Sequence, residues 1–316
     1  MKLLTQGVET SIRGLSVVDE NIIWASGSNG YIARSTDGGN NFKFQQIYPY
    51  DKAELRDIYA FDSNTAIVMS STQPACILKT VDGGKSWKKV FEDLRADVFL
   101  DGFDFWDKQK GICFGDPISN KFLLLTTTDG GDNWKYIDSA FSPVVQEGTA
   151  AFAASGSSIQ CLKAGEVYFA TGGTEAVLFF SADYGLTWKR IETPMPVGYE
   201  SSGIFSIDFL DKKHGCIVGG DFTLQNAVSN NFYYTKNGGK TWEPATAMPA
   251  GYRSSVKYID DYFLLACGNS GIDVAYTQYY RFTNFSNSNY NVIATDKERK
   301  IVFIAGNDGK IAMMKK

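Results

Sequence analysis

Seven charged side chains have the types and spacing expected of a ligand-binding site. They are Arg13, Arg56, Asp101, Asp116, Glu175, Asp221 and Arg253. Guanidinium groups bind carboxylates through paired hydrogen bonds, so the arginines could recognise an acidic ligand. Two carboxylates about 5 to 9.5 Å apart could instead cleave a glycosidic bond, and Asp101 with Asp116 is the pair to consider for that reaction. The structural alternative is that these charges pair with one another and staple neighbouring strands.

The other residue types that perform catalysis are too few or too scattered. His214 is the single histidine and lies in a polar turn, so a Ser–His–Asp or Cys–His arrangement is not indicated. The sequence has no CxxC, no Cys/His cluster and no dinucleotide-binding fingerprint. We therefore predict no catalytic residue, no metal and no cofactor. The cysteines are predicted to be buried free thiols. They are Cys76, Cys113, Cys161, Cys216 and Cys267.

The elements that position these charges are set by a repeated pattern of eight residues, Ser/Thr-x-Asp-x-Gly-x-x-Trp/Phe. Five copies occur at steps of 45 to 54 residues, and Asn replaces Asp in the last copy. Asp-Gly and Gly-Gly supply the positive φ of a tight hairpin turn, and the short acidic side chain accepts hydrogen bonds from nearby amides. The residues of the pattern are therefore predicted to be structural. They are Asp37, Asp82, Asp129, Asp183, Asn237, Trp87, Trp134, Trp188 and Trp242.

Between these turns the sequence repeats a second theme: an apolar strand, an acidic turn and another strand that ends in Gly. Together with the hairpin this gives four antiparallel strands per repeat, which is the blade of a β-propeller. The repeats span 10–50, 51–95, 96–142, 143–197, 198–248 and 249–286. Residues 287–316 hold three more strands, and residues 2–6 can supply the fourth, which would close the ring. We predict an all-β fold, one seven-bladed propeller domain over 1–316, with six blades as the alternative.

Strand order sorts polar residues onto two faces of such a propeller. Turns between the first and second strands, and the eight-residue turns between the third and fourth, open on one face. Blade connections and turns between the second and third strands open on the other, which we name the connection face. Arg13, Arg56 and Asp101 start inner strands in consecutive repeats and are predicted to meet there at the channel mouth. The insertions at 141–158 and 221–231 depart most from the repeat, and such insertions often carry function.

The eight-residue turns resemble the Asp-box, or bacterial neuraminidase, repeat. Over nearly the whole chain, the boxes and the Gly-ended second strands look most like photosystem II stability/assembly factor-like propellers. Sialidases are a more distant likeness, because Ser11-Ile-Arg13-Gly stands where their Phe-Arg-Ile-Pro is expected. The resemblance implies an exported, non-enzymatic scaffold, periplasmic or extracellular, that binds a polypeptide through its arginine-bearing face. The alternative is a glycoside hydrolase, sialidase-like or other, that uses the channel-mouth carboxylates.

Composition narrows the range of partners. The net charge is -4 with both signs interspersed, which gives no bulk attraction for nucleic acid or an anionic membrane. No apolar run approaches the roughly 20 residues of a membrane-spanning helix, and no secretory signal is visible in residues 1–5. We predict a monomer that binds a protein or carbohydrate ligand.

Overall fold

Seven antiparallel sheets follow one another along the chain, and each forms one blade of a propeller. The structure is a computed structural model that describes residues 1–228 and 230–314. Ser229 in the loop 221–231, and Lys315 and Lys316 at the end of the predicted domain, lie outside the described residues. No helix occurs in the described ranges. The predicted all-β, seven-bladed fold is confirmed, so seven blades rather than six form the ring.

Blades 1 to 3 each consist of four consecutive strands, ordered from the channel outward. The strands of blade 1 are Ile12–Val17, Ile23–Gly27, Tyr31–Ser35 and Lys43–Gln46. The strands of blade 2 are Leu55–Ala60, Ala66–Ser70, Ala75–Thr80 and Lys88–Asp93. The strands of blade 3 are Leu100–Phe105, Gly111–Ile118, Lys121–Thr127 and Lys135–Tyr136.

Blades 4 to 7 keep this order, with one addition and one closure. The strands of blade 4 are Ile159–Cys161, Val167–Ala170, Val177–Ser181 and Lys189–Glu192. Blade 5 has two extra short strands at its inner edge and comprises Thr149–Ala150, Gly172–Gly173, Ser202–Phe209, Gly215–Asp221, Phe232–Thr235 and Glu243–Pro244. Blade 6 comprises Ser255–Tyr258, Phe263–Gly268, Gly271–Tyr276 and Arg281–Ser286. Blade 7 comprises Val292–Thr295, Val302–Ala305, Ile311–Met314 and, as its outermost strand, Lys2–Thr5.

The ring is closed by the two ends of the described chain. Lys2 pairs with Met313 and Leu3 pairs with Ala312, so the first strand covers the outer edge of the last blade. This is the closure that the sequence predicts for residues 2–6. It removes an edge whose unpaired amides and carbonyls would otherwise be open to another chain.

Each Asp-box turn is held by its own side chains. In the first box the Asp37 carboxylate accepts a hydrogen bond from the Asn41 N–H at 2.9 Å, and the Ser35 hydroxyl oxygen accepts one from the Gly39 N–H at 2.9 Å. Gly39 has a φ of +82°, a conformation that glycine adopts without steric cost. In the last box Asn237 accepts from the Thr241 N–H at 2.9 Å, so the amide oxygen replaces the carboxylate in the same turn.

The apolar core lies between neighbouring blades. Ile67 and Met69 of blade 2 share one cluster with Phe103 and Leu125 of blade 3, and similar clusters join the other blades. Burial of one large apolar side chain stabilises a fold by about 1.5–3 kcal/mol. Because each blade buries both of its faces against neighbours, the ring must be complete for the core to form.

Polar side chains of the inner strands join each blade to the next around the channel. The Ser16 hydroxyl accepts from the Ala60 N–H, and the Gln160 side-chain oxygen accepts from the Phe209 N–H. Three aspartates make equivalent bonds. They are Asp57 to the Phe103 N–H, Asp104 to the Cys161 N–H and Asp208 to the Tyr258 N–H. The polar side chains of the channel wall therefore serve to join neighbouring blades.

Candidate functional site

The charges predicted at the channel mouth occupy a repeated irregularity in the inner strands. Pairing with the second strand shifts by one residue at Arg13, Arg56, Asp101 and Phe205, in blades 1, 2, 3 and 5. An extra residue of this kind is a β-bulge, which turns its side chain away from the regular alternation. The four positions are equivalent, so their side chains lie at the same end of the ring.

A segment between blades 3 and 4 crosses the channel mouth. We name residues 149–158 the strap. The Ala151 N–H donates to Asp116 at 2.9 Å, and the Ala153 carbonyl accepts from Arg56 at 3.3 Å. The Ala154 carbonyl accepts from Arg13 at 3.1 Å. The strap therefore runs from blade 3 past blade 2 to blade 1.

The second half of the strap returns along the other side of the ring. The Ser155 hydroxyl donates to the Ser254 carbonyl of blade 6 at 2.7 Å, and the Ser157 hydroxyl lies 2.7 Å from that of Ser206 in blade 5. Gly156 packs so closely that a Cβ there would lie 2.2 Å from an Asp57 carboxylate oxygen. Because it contacts five blades before it enters blade 4, the strap closes the channel on the connection face.

Arg13 and Arg56 lie side by side on the strap. Each donates one Nη1 hydrogen bond to a strap carbonyl, and Arg56 also donates to Glu54 at 3.2 Å. The pKa of Arg13 is lowered by burial and by the neighbouring Arg56 charge. Glu54 thus forms an ion pair with Arg56, next to the second guanidinium group of Arg13. The Arg56 side chain remains 26% exposed.

Asp101 and Asp116 lie beneath the strap. Asp101 is fully buried, and neither carboxylate oxygen has a hydrogen-bond partner among the described residues. Burial and then the Asp116 charge raise the pKa of Asp101 well above its ordinary value, while the Arg56 charge opposes the shift. Burial raises the pKa of Asp116 to about 6. Asp101 is therefore covered by protein and cannot contact a sugar in this conformation.

The remaining predicted residues make supporting contacts within the protein. Glu175 is buried, pairs with Arg190 at 2.7 Å and accepts a hydrogen bond from the Gln146 N–H at 3.0 Å. Asp221 accepts from the Thr223 N–H at 2.8 Å, which starts the loop after its strand. Arg253 is fully buried and its Nε donates to Asp273 at 2.6 Å.

Aromatic residues next to the arginines are the part of this site that sequence reasoning missed. Phe152 of the strap stacks on Phe205 at 3.8 Å between ring centroids, and Tyr252 meets Phe205 edge-on at 4.8 Å. Phe222 contacts both phenylalanine rings and is 44% exposed. The bulge alignment places Phe205 of blade 5 at the same end of the ring as the arginines, and that alignment was the available signal. Phe152 and Phe222 come from the two insertions, and the missing information was that both insertions fold onto Phe205.

The unfolding free energy should fall as pH rises from about 5 to about 8, because several carboxyl groups hold protons only in the folded protein. Burial raises the pKa of Asp57 to about 8 and the pKa of Asp104 to about 6, alongside the shifts of Asp101 and Asp116. Between the ordinary carboxyl pKa of about 4 and these raised values, unfolding releases protons. Each such proton weakens folding by up to about 1.4 kcal/mol per pH unit.

Asp101→Asn isolates one of these groups without loss of an identified hydrogen bond. The amide cannot ionise near Asp116, Arg56 and Cys113, the ionisable groups that face it. We expect the variant to gain stability over the wild type progressively with pH, measured by denaturant unfolding at several pH values. The exposed Asp97→Asn is the control. A stability difference that is the same at every pH would contradict this assignment.

Within the described residues, no group of three or more His, Cys, Asp or Glu side chains could hold a metal ion. The same residues contain no helix that is long and apolar enough to cross a membrane. All five cysteines are free thiols; Cys161 is partly buried and the other four are buried.

The fold and its box turns define a class: the chain is a seven-bladed β-propeller of the BNR/Asp-box repeat type. The family model described as BNR/Asp-box repeat matches residues 233–244, the fifth box with its flanking strands. Among solved structures, YCF48 from Cyanidioschyzon merolae is similar with a TM-score of 0.71 and 16% identity, over 99% of this chain and 98% of that chain. YCF48 bound to D1 peptide is similar with a TM-score of 0.69 and 15% identity, over 99% and 96%. The resemblance predicted from the sequence is confirmed.

One curated relative matches part of the chain. Vacuolar protein sorting/targeting protein 10 from Colletotrichum graminicola (strain M1.001 / M2 / FGSC 10212) is 30% identical over 118 residues. The match covers 36% of this chain and 8% of that protein, so the chain spans a small part of the relative's length.

Proposed function

We propose that this propeller binds an extended, acidic polypeptide segment on its connection face, without catalysis. The binding surface is formed by Arg13, Arg56, Phe152 and Phe222, and the buried rings of Phe205 and Tyr252 support it from below. We name it the arginine–aromatic surface. The observation that carries the proposal is the pair of adjacent guanidinium groups, fixed by the strap and only partly balanced by Glu54.

Electrostatics favour an anionic partner at this surface. Arg13 is partly buried beside another cation, an arrangement that a bound carboxylate would relieve. Only the Nη1 group of Arg13 donates to the described chain, so its other N–H groups remain for a ligand. A carboxylate bound by a guanidinium takes two parallel hydrogen bonds, which orients the partner as well as holding it.

Apolar contacts favour a polypeptide over a small anion. The exposed side chains Phe222, Leu224 and Val228 follow one another along the insertion beside Phe205. Aromatic and arginine side chains at the centre of a contact provide most of the binding free energy in protein interfaces. A propeller of similar fold, YCF48, has been solved with a D1 peptide bound, which supports a peptide ligand for this architecture.

The sequence also led to predictions about catalysis, carbohydrate binding, oligomeric state and cellular location. A glycoside hydrolase needs two carboxylates exposed to one sugar, and full burial of Asp101 gives that alternative no support. Carbohydrate binding, monomeric state and a periplasmic or extracellular location stay predictions. Sedimentation velocity would measure the oligomeric state.

Charge reversal at the arginines tests the proposal. Peptides are first selected for binding to the wild-type protein from a displayed random library and then titrated against the double variant Arg13→Glu plus Arg56→Glu. Loss of two charge-assisted contacts is expected to weaken binding at least about 100-fold, since each is worth roughly 1.5–3 kcal/mol. Selected peptides should be enriched in Asp, Glu and large apolar residues.

A matched control reverses two charges on the other face. Lys85→Glu plus Lys240→Glu changes the net charge equally, on exposed Asp-box lysines. This variant should retain wild-type affinity. The proposal fails if both double variants bind equally well, or if only the Asp-box variant loses binding.

A further inference from the structure

The channel is a blind well that opens on the Asp-box face. A cavity of about 530 Å³ extends from the turns between first and second strands, including Phe61, Asp107 and Asp296, to the strap residues Ser155, Gly156 and Ser157. The strap forms its floor, so a ligand enters from the Asp-box face. The volume is within the range of about 300–1,000 Å³ that holds small organic ligands. This site is separate from the arginine–aromatic surface and does not depend on its function.

One wall of the well is aromatic. Tyr59, Phe61 and Phe105, from blades 2 and 3, line the cavity with ring centroids 4.9 to 5.1 Å apart. Trp106 continues this wall toward the opening, with its Nε1–H bound to the Glu166 carbonyl at 2.7 Å. The rings are tilted by 42 to 78° to one another, so they offer apolar faces and edges to a ligand.

The wall formed by blades 5 to 7 has an excess of positive charge. The buried Asp208 pairs with Lys257 at 2.9 Å and with Arg299 at 2.6 Å, so two cations share one carboxylate. Lys257 and Arg299 line the cavity. The Lys257 ammonium group makes one hydrogen bond, to Asp208, and an ammonium group has three donors.

The acidic groups of the well are committed to the backbone. The Asp104 carboxylate accepts from the Phe105 and Cys161 N–H groups, both at 2.7 Å. Asp57, near the floor, accepts from the Ile58 N–H at 2.8 Å and the Phe103 N–H at 3.0 Å. Burial raises the pKa of Asp57 to about 8, so it is mostly uncharged at neutral pH. Lys257 is therefore one of the cavity-lining side chains with unused donors for an anion, and Lys108 and Lys297 also line the cavity.

We propose that the well binds a small monoanion with a flat apolar body, of the aryl carboxylate class. The carboxylate bonds to Lys257 beside Arg299, and the ring lies against Tyr59 and Phe61. The strap prevents passage through the ring, so the site is a binding pocket rather than a channel.

Three related probes test the chemistry of the site. Phenylacetate, phenylacetamide and acetate are titrated separately into the wild-type protein and followed by ligand-observed NMR. Phenylacetate should bind saturably, and the uncharged amide and the ringless acid should each bind at least about tenfold more weakly, because each lacks one of the two contacts. Absence of saturable phenylacetate binding, or equal binding of all three, overturns the proposal.

Lysine variants and an iodinated ligand test where phenylacetate binds. Lys257→Met should weaken phenylacetate binding by about tenfold or more, whereas Lys310→Met, which removes a lysine over Tyr290 on the connection face, should not. Since Lys257→Met also alters the Asp208 cluster, wild-type crystals are soaked with 4-iodophenylacetate. The iodine is expected inside the well, near the Tyr59 and Phe61 rings, and iodine only elsewhere would overturn the assignment.

Discussion

Asp208→Ala should lower the unfolding free energy by about 3–5 kcal/mol, because it leaves two cations without their shared carboxylate. Asp208 is fully buried and joins blade 5, through Lys257 and Arg299, to blades 6 and 7. It also accepts a hydrogen bond from the Tyr258 N–H at 2.7 Å. The measurement is equilibrium denaturation with circular dichroism and Trp fluorescence as independent probes.

Asp211→Ala is the matched control, three residues along in an exposed turn where its carboxylate contacts His214. An exposed pair of this kind contributes at most about 1 kcal/mol. Equal costs for the two variants would contradict a buried charge cluster that joins three blades. Burial alone would raise the pKa of Asp208, but Lys257 and Arg299 outweigh it and lower the pKa. The cluster therefore stabilises the fold above about pH 4 and loses that contribution as the pH falls further.

Trp134→Ala should cost about 3–5 kcal/mol of stability and leave peptide affinity unchanged. The indole ring is 6% exposed and meets Phe103 and Phe105 edge-on, with centroids 6.2 and 5.8 Å away. It belongs to the third Asp-box, on the face opposite the arginine–aromatic surface. Denaturant unfolding measures the stability, and peptide titration of the folded variant measures the affinity.

Tyr262→Ala is the control for loss of an aromatic ring, because Tyr262 is 73% exposed. Its cost should stay within about 0.5 kcal/mol, as for most surface substitutions. If Trp134→Ala also stayed near that value, the box tryptophan would not be a core residue. If Trp134→Ala abolished peptide binding while the protein remained folded, the two faces would not be independent.

The blades could be predicted from the sequence because their turns are determined locally. Each Asp-box contains the residues that satisfy its own hydrogen bonds, so eight consecutive residues specify a hairpin. Repetition of that hairpin defines the sheet order, and the strand at Lys2–Thr5 completes it. The sequence also predicted Arg13, Arg56 and Asp101 at the start of the inner strands, and the bulges lie at these positions.

The path of the strap could not be predicted, because no local pattern determines it. Its contacts reach from Arg13 in blade 1 to Ser254 in blade 6, so they exist only after the ring has closed. Burial of Asp101 follows from that closed geometry as well, whereas the ion pair of Arg253 with Asp273 forms within blade 6. Residue type and spacing identified charged groups at the mouth without distinguishing the buried ones from the accessible ones.

Hydrogen exchange with and without a selected peptide tests the proposed surface most directly. We expect slower exchange in the strap, residues 149–158, and in the first residues of the inner strands of blades 1 and 2. Exchange in the Asp-box turns and at the mouth of the well should not change. Protection confined to the Asp-box face, with the strap unaffected, would contradict the assignment of peptide binding to the connection face.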